Sequence, residues 1–153
     1  MEFEHSFSVA APIDAVWAAM TDIERFAPCV PETRVTGRAG ADSYNVEITV
    51  AVGPLATTVE GNITLAERDD ARHREVLKVV AKDSDSDTPT DATLTIVLTQ
   101  TAAWTDAAVH SSVEVSGIVA LMGEEKIAEV AADTIGTFAT NLETLLGQPP
   151  RQA

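Results

Sequence analysis

Apolar and polar positions alternate along most of this chain, and the rhythm changes only near its two ends. Residues 2–9 place Phe3, His5, Phe7 and Val9 on one side and Glu2, Glu4, Ser6 and Ser8 on the other, the pattern of a half-buried strand. Pro12 opens a short helix whose apolar side is Ile13, Val16, Trp17 and Met20, with Asp14 in its first turn. Thr21 or Asp22 is placed to cap a second short helix running through Phe26, which Pro28 and Pro31 bring to an end. From about Thr33 the period is two. Tyr44, Val46, Ile48, Val50 and Val52 share one parity, Gly53-Pro54 predicts a turn, and Leu55, Val59, Ile63 and Leu65 share a parity in the returning strand. A turn at 69–71 leads to Leu77, Val79 and Ala81, which face away from Lys78 and Lys82. After a polar loop, 83–91, Ala92, Leu94, Ile96 and Leu98 mark another strand. The last strand sets Val109, Val113 and Val115 against His110, Ser112 and Glu114.

An apolar connection through Leu121 and Met122 then gives way to the period of a helix. Ile127, Ala131, Ile135, Phe138, Leu142 and Leu145 recur at steps of three and four, Glu124 and Glu125 suit the positive end, and Gly147, Pro149 and Pro150 end the run. Antiparallel strands cannot bury their apolar face alone, so this single long helix has to cover it. The pattern predicts an α+β fold: a curved antiparallel sheet of about seven strands wrapped around a long C-terminal helix, with two short helices after the first strand. Residues 1–147 form one domain in this reading, and 148–153 a disordered tail. One helix laid over a curved sheet leaves a cavity. The low aromatic content, 5%, favours one too, because Val, Ile, Leu and Ala fill such a space poorly.

Charge then narrows the partners. Twenty-four acidic residues against ten basic ones give a formal charge of −14 over 153 residues. That balance excludes nucleic-acid binding, which needs clustered Lys and Arg, and disfavours electrostatic attachment to an anionic membrane. The start Met-Glu-Phe-Glu-His has neither the basic nor the apolar region of a signal peptide, and no stretch reaches the ~18 apolar residues of a membrane span. The expectation is a cytoplasmic protein. Cys29 is the only cysteine, so no intramolecular disulfide forms.

Candidate chemistry is thin. His5, His73, His110 and Cys29 fall in four separate segments without metal-ligand spacing. Asp83-Ser-Asp-Ser-Asp begins like a calcium loop, but Thr88 stands where glycine is needed and Leu94 where the bidentate glutamate belongs. Glycine-rich phosphate loops are absent, and Cys29 has no neighbouring His or Lys to activate it, so a small packing residue is the better reading. No metal or catalytic residue is expected. His5 is the one polar residue that parity puts on an apolar face. It reads either as a satisfied core histidine or as a donor to a ligand carbonyl.

The candidate ligand-binding residues follow from parity and position. From the strands come His5, Phe7, Val50, Val59 and Leu77, and further along Leu94, Ile96 and Val115. The terminal helix offers Ile127, Ala131, Ile135 and Phe138. Phe26, Leu55, Leu121 and Met122 lie on loops or helix ends and are assigned to the cavity mouth, Met122 for its adaptable thioether.

Three segments carry a family resemblance: Asp22-Ile-Glu-Arg-Phe-Ala-Pro-Cys-Val-Pro, Val52-Gly-Pro-Leu with Gly61 after it, and Thr137-Phe-Ala-Thr-Asn-Leu-Glu. Together with the element order they resemble the helix-grip fold of the START-like (SRPBCC) superfamily. More narrowly, from Met1 to about Leu146, the chain resembles the carbon monoxide dehydrogenase CoxG family. Glu32 departs from the pattern, since many relatives place glycine there. The resemblance implies an accessory protein beside a molybdenum hydroxylase of the carbon monoxide dehydrogenase or xanthine oxidase type, linking that enzyme to the membrane and its quinone pool. Its ligand would be an isoprenoid quinone, menaquinone or ubiquinone, held without covalent attachment, and membrane contact would be transient and peripheral. Each buried CH₂ of a prenyl tail would contribute about 0.8 kcal/mol. Two other readings remain: a polyketide cyclase or dehydratase, and an assembly or membrane-recruitment adaptor with no ligand. Against the cyclase, parity gives the inner faces only His5, Tyr44 and a few Thr or Ser for acid–base work.

Overall fold

The computed structural model describes residues 1–52, 54–83, 90–114 and 123–147. Seven strands form one antiparallel sheet: β1 (Glu2–Val9), β2 (Thr33–Gly40), β3 (Ser43–Val52), β4 (Leu55–Asp69), β5 (Arg74–Asp83), β6 (Thr90–Thr101) and β7 (Trp104–Glu114). Their spatial order is β1-β7-β6-β5-β4-β3-β2, so consecutive strands from β2 to β7 are neighbours and only β1 closes from a distance. Helices α1 (Ile13–Met20) and α2 (Ile23–Phe26) and a 3-10 turn (Ala27–Cys29) join β1 to β2. The long helix α3 (Glu124–Gly147) follows β7. The α+β architecture expected from the pattern, and the helix-grip fold that the resemblance implies, are the ones observed.

The core lies between the sheet's inner face and the helices. Val16, Trp17, Ala19 and Met20 of α1 are buried together with Ile23 and Phe26 of α2, over Leu77, Ile96, Leu98 and Val109 of the sheet. Helix α3 adds Phe138 and Leu142, the latter wholly buried. Phe138 meets Phe7 edge-on at 5.7 Å between ring centroids and Phe26 at 6.4 Å, so one ring ties β1, α2 and α3 together. Two polar contacts fix the helix lengthwise. Asn141 Nδ2 donates to the Cys29 carbonyl at 2.8 Å, and the Ala10 amide donates to Glu143 Oε2 at 2.8 Å.

Three details differ from the sequence expectation. Asp22 occupies the N-cap of α2, but its side chain makes no capping hydrogen bond. Leu145 is 42% exposed rather than on the buried face, and Leu146 packs against the core instead. After Phe138 and Leu142 a further step of four keeps the stripe in phase, whereas a step of three swings the side chain outward. The third difference is Glu32. It adopts a left-handed backbone, φ 62°, and its carbonyl accepts from the Thr49 amide at 2.9 Å. A conformation that favours glycine is thus held by a residue that has a Cβ. Elsewhere a close approach is respected: a Cβ on Gly61 would lie 3.1 Å from the Val80 carbonyl oxygen.

A carboxyl side chain interrupts the apolar pattern of the core. Glu75 on β5 has the parity of Leu77, is wholly buried, and neither of its carboxyl oxygens has a hydrogen-bond partner among the described residues. Burial raises its pKa to about 8, against the nearby Arg68 charge that pulls it down. The neutral acid is therefore the form that the folded interior accepts.

This packing can be tested at four positions. Leu142→Ala should lower stability by about 2–5 kcal/mol in urea unfolding, while Leu145→Ala should change it by less than about 0.5 kcal/mol; equal losses would contradict the helix phase. Glu32→Gly should stabilise by about 0.5–1 kcal/mol, the relief of left-handed strain exceeding glycine's entropic cost. Because the folded pKa of Glu75 lies above its unfolded value of 4.5, its penalty is absent at low pH and grows as pH rises toward 8. Glu75→Gln should accordingly match the parent protein near pH 4.5 and exceed its stability by roughly 3–5 kcal/mol above pH 8. Parallel pH profiles for the two proteins would refute that assignment.

Candidate functional site

Where α3 crosses the sheet, packing is incomplete and a cavity of about 150 Å³ remains. The sheet contributes Phe7 from β1, Leu77 from β5, Leu94 and Ile96 from β6, and Val109 from β7. Met20, Phe26 and Val30 close it from the α1–α2 side, and Thr134, Ile135 and Phe138 from α3. The local reasons are simple. Strand parity turns every second residue inward, and a turn of α3 presents Thr134, Ile135 and Phe138 together. Among the described residues Thr134 alone brings a polar side chain to the lining, so the cavity favours hydrocarbon over water.

Seven residues expected from sequence meet there: Phe7, Phe26, Leu77 and Leu94 from one half of the set, and Ile96, Ile135 and Phe138 from the other. Val59 is buried on β4 outside the lining, and Ile127 and Ala131 are half-buried farther toward the N-terminus of α3. The side chains of Val50 and Leu55 lie outside the described residues, as do Val115, Leu121 and Met122. Four lining residues fall outside the expected set. Met20 is legible as the apolar side of α1 and Val109 as the inward side of β7, but Thr134 hides among polar neighbours and Val30 sits between prolines.

Of the two roles expected of His5, the satisfied core histidine is not found among the described residues. Its ring lies 6.4 Å from that of Phe3, and its Nε2 is buried without a hydrogen-bond partner among the described residues. It does not line the cavity, although Phe7, two residues along the same face, does. Glu75 is a second inward polar group, one that the sequence reading of the inner faces misses. The available signal is its parity with Leu77 and Val79, obscured by the neighbouring Arg74 and the charged turn before it.

A wider cleft of about 380 Å³ lies between α1–α2 and the β2–β3 turn, with Asp22, Asp42, Tyr44 and Arg68 on its walls. Two of its polar side chains, Tyr44 and Arg68, already have partners outside the lining. Tyr44 donates to Glu24 at 3.1 Å, and burial followed by that bond raises the phenol's pKa. Arg68 donates to Asp70 at 2.7 Å, and Trp17 Nε1 donates to the same oxygen at 2.8 Å, so the Asp70 carboxyl is held below its ordinary range. This arrangement anchors α1 to the β4–β5 turn, where the Trp17 and His73 rings also meet edge-on at 5.5 Å. Cys29 is buried, and desolvation raises its pKa despite Arg25, which suits packing rather than nucleophilic attack. Among the described residues, no three His, Cys, Asp or Glu side chains converge to hold a metal, and no helix is long and apolar enough to cross a membrane.

Solved structures share this architecture. A conserved protein from Geobacillus kaustophilus is 18% identical, with a TM-score of 0.84 and 95% of each chain covered. A START superfamily protein from Mycobacterium smegmatis is 16% identical at a TM-score of 0.60, over 95% of this chain and 96% of that one. The Zhui aromatase/cyclase from Streptomyces sp. R1128 is 19% identical at a TM-score of 0.55, over 96% and 92%. At these identities the likeness concerns the fold. No curated protein matches the sequence significantly. The family model of carbon monoxide dehydrogenase CoxG matches residues 6–147, nearly the whole chain. With its START-like sheet and helix, the chain belongs to the carbon monoxide dehydrogenase CoxG family.

Proposed function

We propose that this chain is a non-enzymatic carrier of a lipophilic ligand, an isoprenoid quinone such as menaquinone or ubiquinone. The carrying observation is the cavity between sheet and α3, whose lining is apolar apart from Thr134. Burial of hydrocarbon supplies the binding energy there, at about 25 cal/mol per Å² removed from water. The space present, about 150 Å³, is smaller than the ~300 Å³ of typical ligand pockets. It matches a ring or a few isoprene carbons, and a longer ligand requires α3 to shift away from the sheet.

Family membership suggests the partner: a molybdenum hydroxylase of the carbon monoxide dehydrogenase type, which would pass electrons to the quinone held here. The chain's role in that scheme is uptake and delivery. Its acidic surface suits docking to a basic face on the enzyme, and contact with the cytoplasmic side of the membrane would be brief. The aromatase/cyclase neighbour raises a cyclase reading, but acid–base chemistry needs titratable groups around the substrate, and the described lining offers a lone threonine hydroxyl.

Two measurements test the carrier. Native mass spectrometry of the protein purified from a quinone-containing host, with extraction of what it holds, should find one isoprenoid quinone per chain. An empty protein that also refuses added menaquinone and ubiquinone would leave the adaptor or cyclase readings. Ile135→Phe, which fills the cavity from α3, should cut quinone uptake at least tenfold, about 1.4 kcal/mol, with little change in melting temperature.

A further inference from the structure

His5 and Glu75 belong to one line across the sheet. His5 on β1 pairs with Val109 on β7, Val109 pairs with Ile96 on β6, and Ile96 pairs with Glu75 on β5. The two middle members line the cavity. The two ends carry buried polar atoms that have no partner among the described residues: His5 Nε2 and both carboxyl oxygens of Glu75. An unpartnered buried polar group is costly, and two at the ends of one row whose middle members floor the cavity call for a common explanation.

We propose that His5 and Glu75 bracket the ligand's head group, each donating a hydrogen bond to an acceptor at one end of a planar ring lying over Val109 and Ile96. The assignment rests on the carrier reading and narrows its ligand class to rings with acceptors at opposite ends, as in a para-quinone. Adjacent strands lie about 4.8 Å apart, which separates the ends of the row by roughly 14 Å at the backbone. A para-quinone spans about 5 Å between its oxygens, and a hydrogen bond at each end extends this to roughly 11 Å. Neither His5 nor Glu75 is in the cavity lining, so closing that difference requires both side chains to lean inward when the ligand binds. Burial keeps the Glu75 carboxyl protonated at neutral pH and therefore able to donate. Arg68 from β4 is the charge that acts on it among the described residues, while the flanking Leu77 and Ile96 are apolar. Hydrocarbon burial thus holds the tail, and the row selects the head.

The experiment compares menaquinone with squalene, an isoprenoid hydrocarbon without acceptors, in the full chain and in Glu75→Leu, Glu75→Gln and His5→Leu. Glu75→Leu and His5→Leu should each weaken menaquinone roughly tenfold and leave squalene unchanged, while Glu75→Gln, which still donates, should stay within about threefold. The infrared carbonyl stretch of bound menaquinone should lie below its value in hydrocarbon solvent and return toward it in each Leu variant. A parent protein that binds menaquinone with an unshifted carbonyl, or Leu variants that bind it as tightly, would overturn the His5–Glu75 assignment and leave the carrier reading standing. A parent protein that takes up squalene or nothing, but no menaquinone, would overturn both. Glu75→Leu removes an unsatisfied buried group, so it should fold at least as stably as the parent; if it does not, His5→Leu tests the row at its other end through the same affinity and carbonyl frequency.

Discussion

One helix has to cover the inner face of a seven-stranded sheet, and nearly everything else in this molecule follows from that mismatch. The β1–β2 connection supplies the missing cover as α1, α2 and a 3-10 turn, and the prolines around Cys29 turn the chain back toward the sheet. Phe138 sits where the two covers meet, in edge-on contact with both Phe7 and Phe26. Leu142 fixes the depth of the helix, and Asn141 and Glu143 fix its position along the axis. Three rings meeting edge-on do not fill space as an aliphatic cluster does, and the cavity is what that geometry leaves over.

The interior is otherwise conservative in its use of polar groups. Thr105, a second buried polar residue, donates its hydroxyl to the Ala11 carbonyl at 2.8 Å and so helps seat the chain between β1 and α1. Trp17 finds Asp70. Against that background His5 and Glu75 stand out, since among the described residues an imidazole nitrogen and a whole carboxyl group have no partner while Thr105 and Trp17 do. Stability is given up at Glu75 as pH rises from 4.5 toward about 8, and in the proposed arrangement a ligand able to accept hydrogen bonds recovers part of it.

Fold and site are legible to different degrees in the sequence. Period-two runs such as Tyr44 to Val52 and the helical stripe through Phe138 encode burial directly, so the strands and the long helix can be read from them. Much of the lining follows from the same parity. What parity cannot show is where covers meet: Val30, held by prolines, and Thr134, flanked by Asp133, reach the cavity through tertiary placement alone. Glu75 is obscured for a different reason. Charge is read as surface, and at the end of a strand beside Arg72 and Arg74 a glutamate looks solvated until cross-strand neighbours are known. The phase of α3 after Leu142 depends on the real pitch of the helix, which is why Leu145 and Leu146 exchange roles.

The outer strand β2 bears on how copies of this protein behave at high concentration. Its pairing with β3 slips twice, between Val35 and Gly37 and again between Arg38 and Gly40. Arg34 and Arg38 project from it, the first toward Glu47 and the second folding back on the carbonyls of Gly40 and Ala41. An edge interrupted in this way presents no continuous row of amides and carbonyls to a neighbour. Combined with a net charge of −14, which makes copies repel one another, it leaves strand addition between molecules a poor route to association. In the proposed carrier, where the apolar interior would open to load and unload, such a rim would matter most, because each opening would expose hydrocarbon beside a sheet.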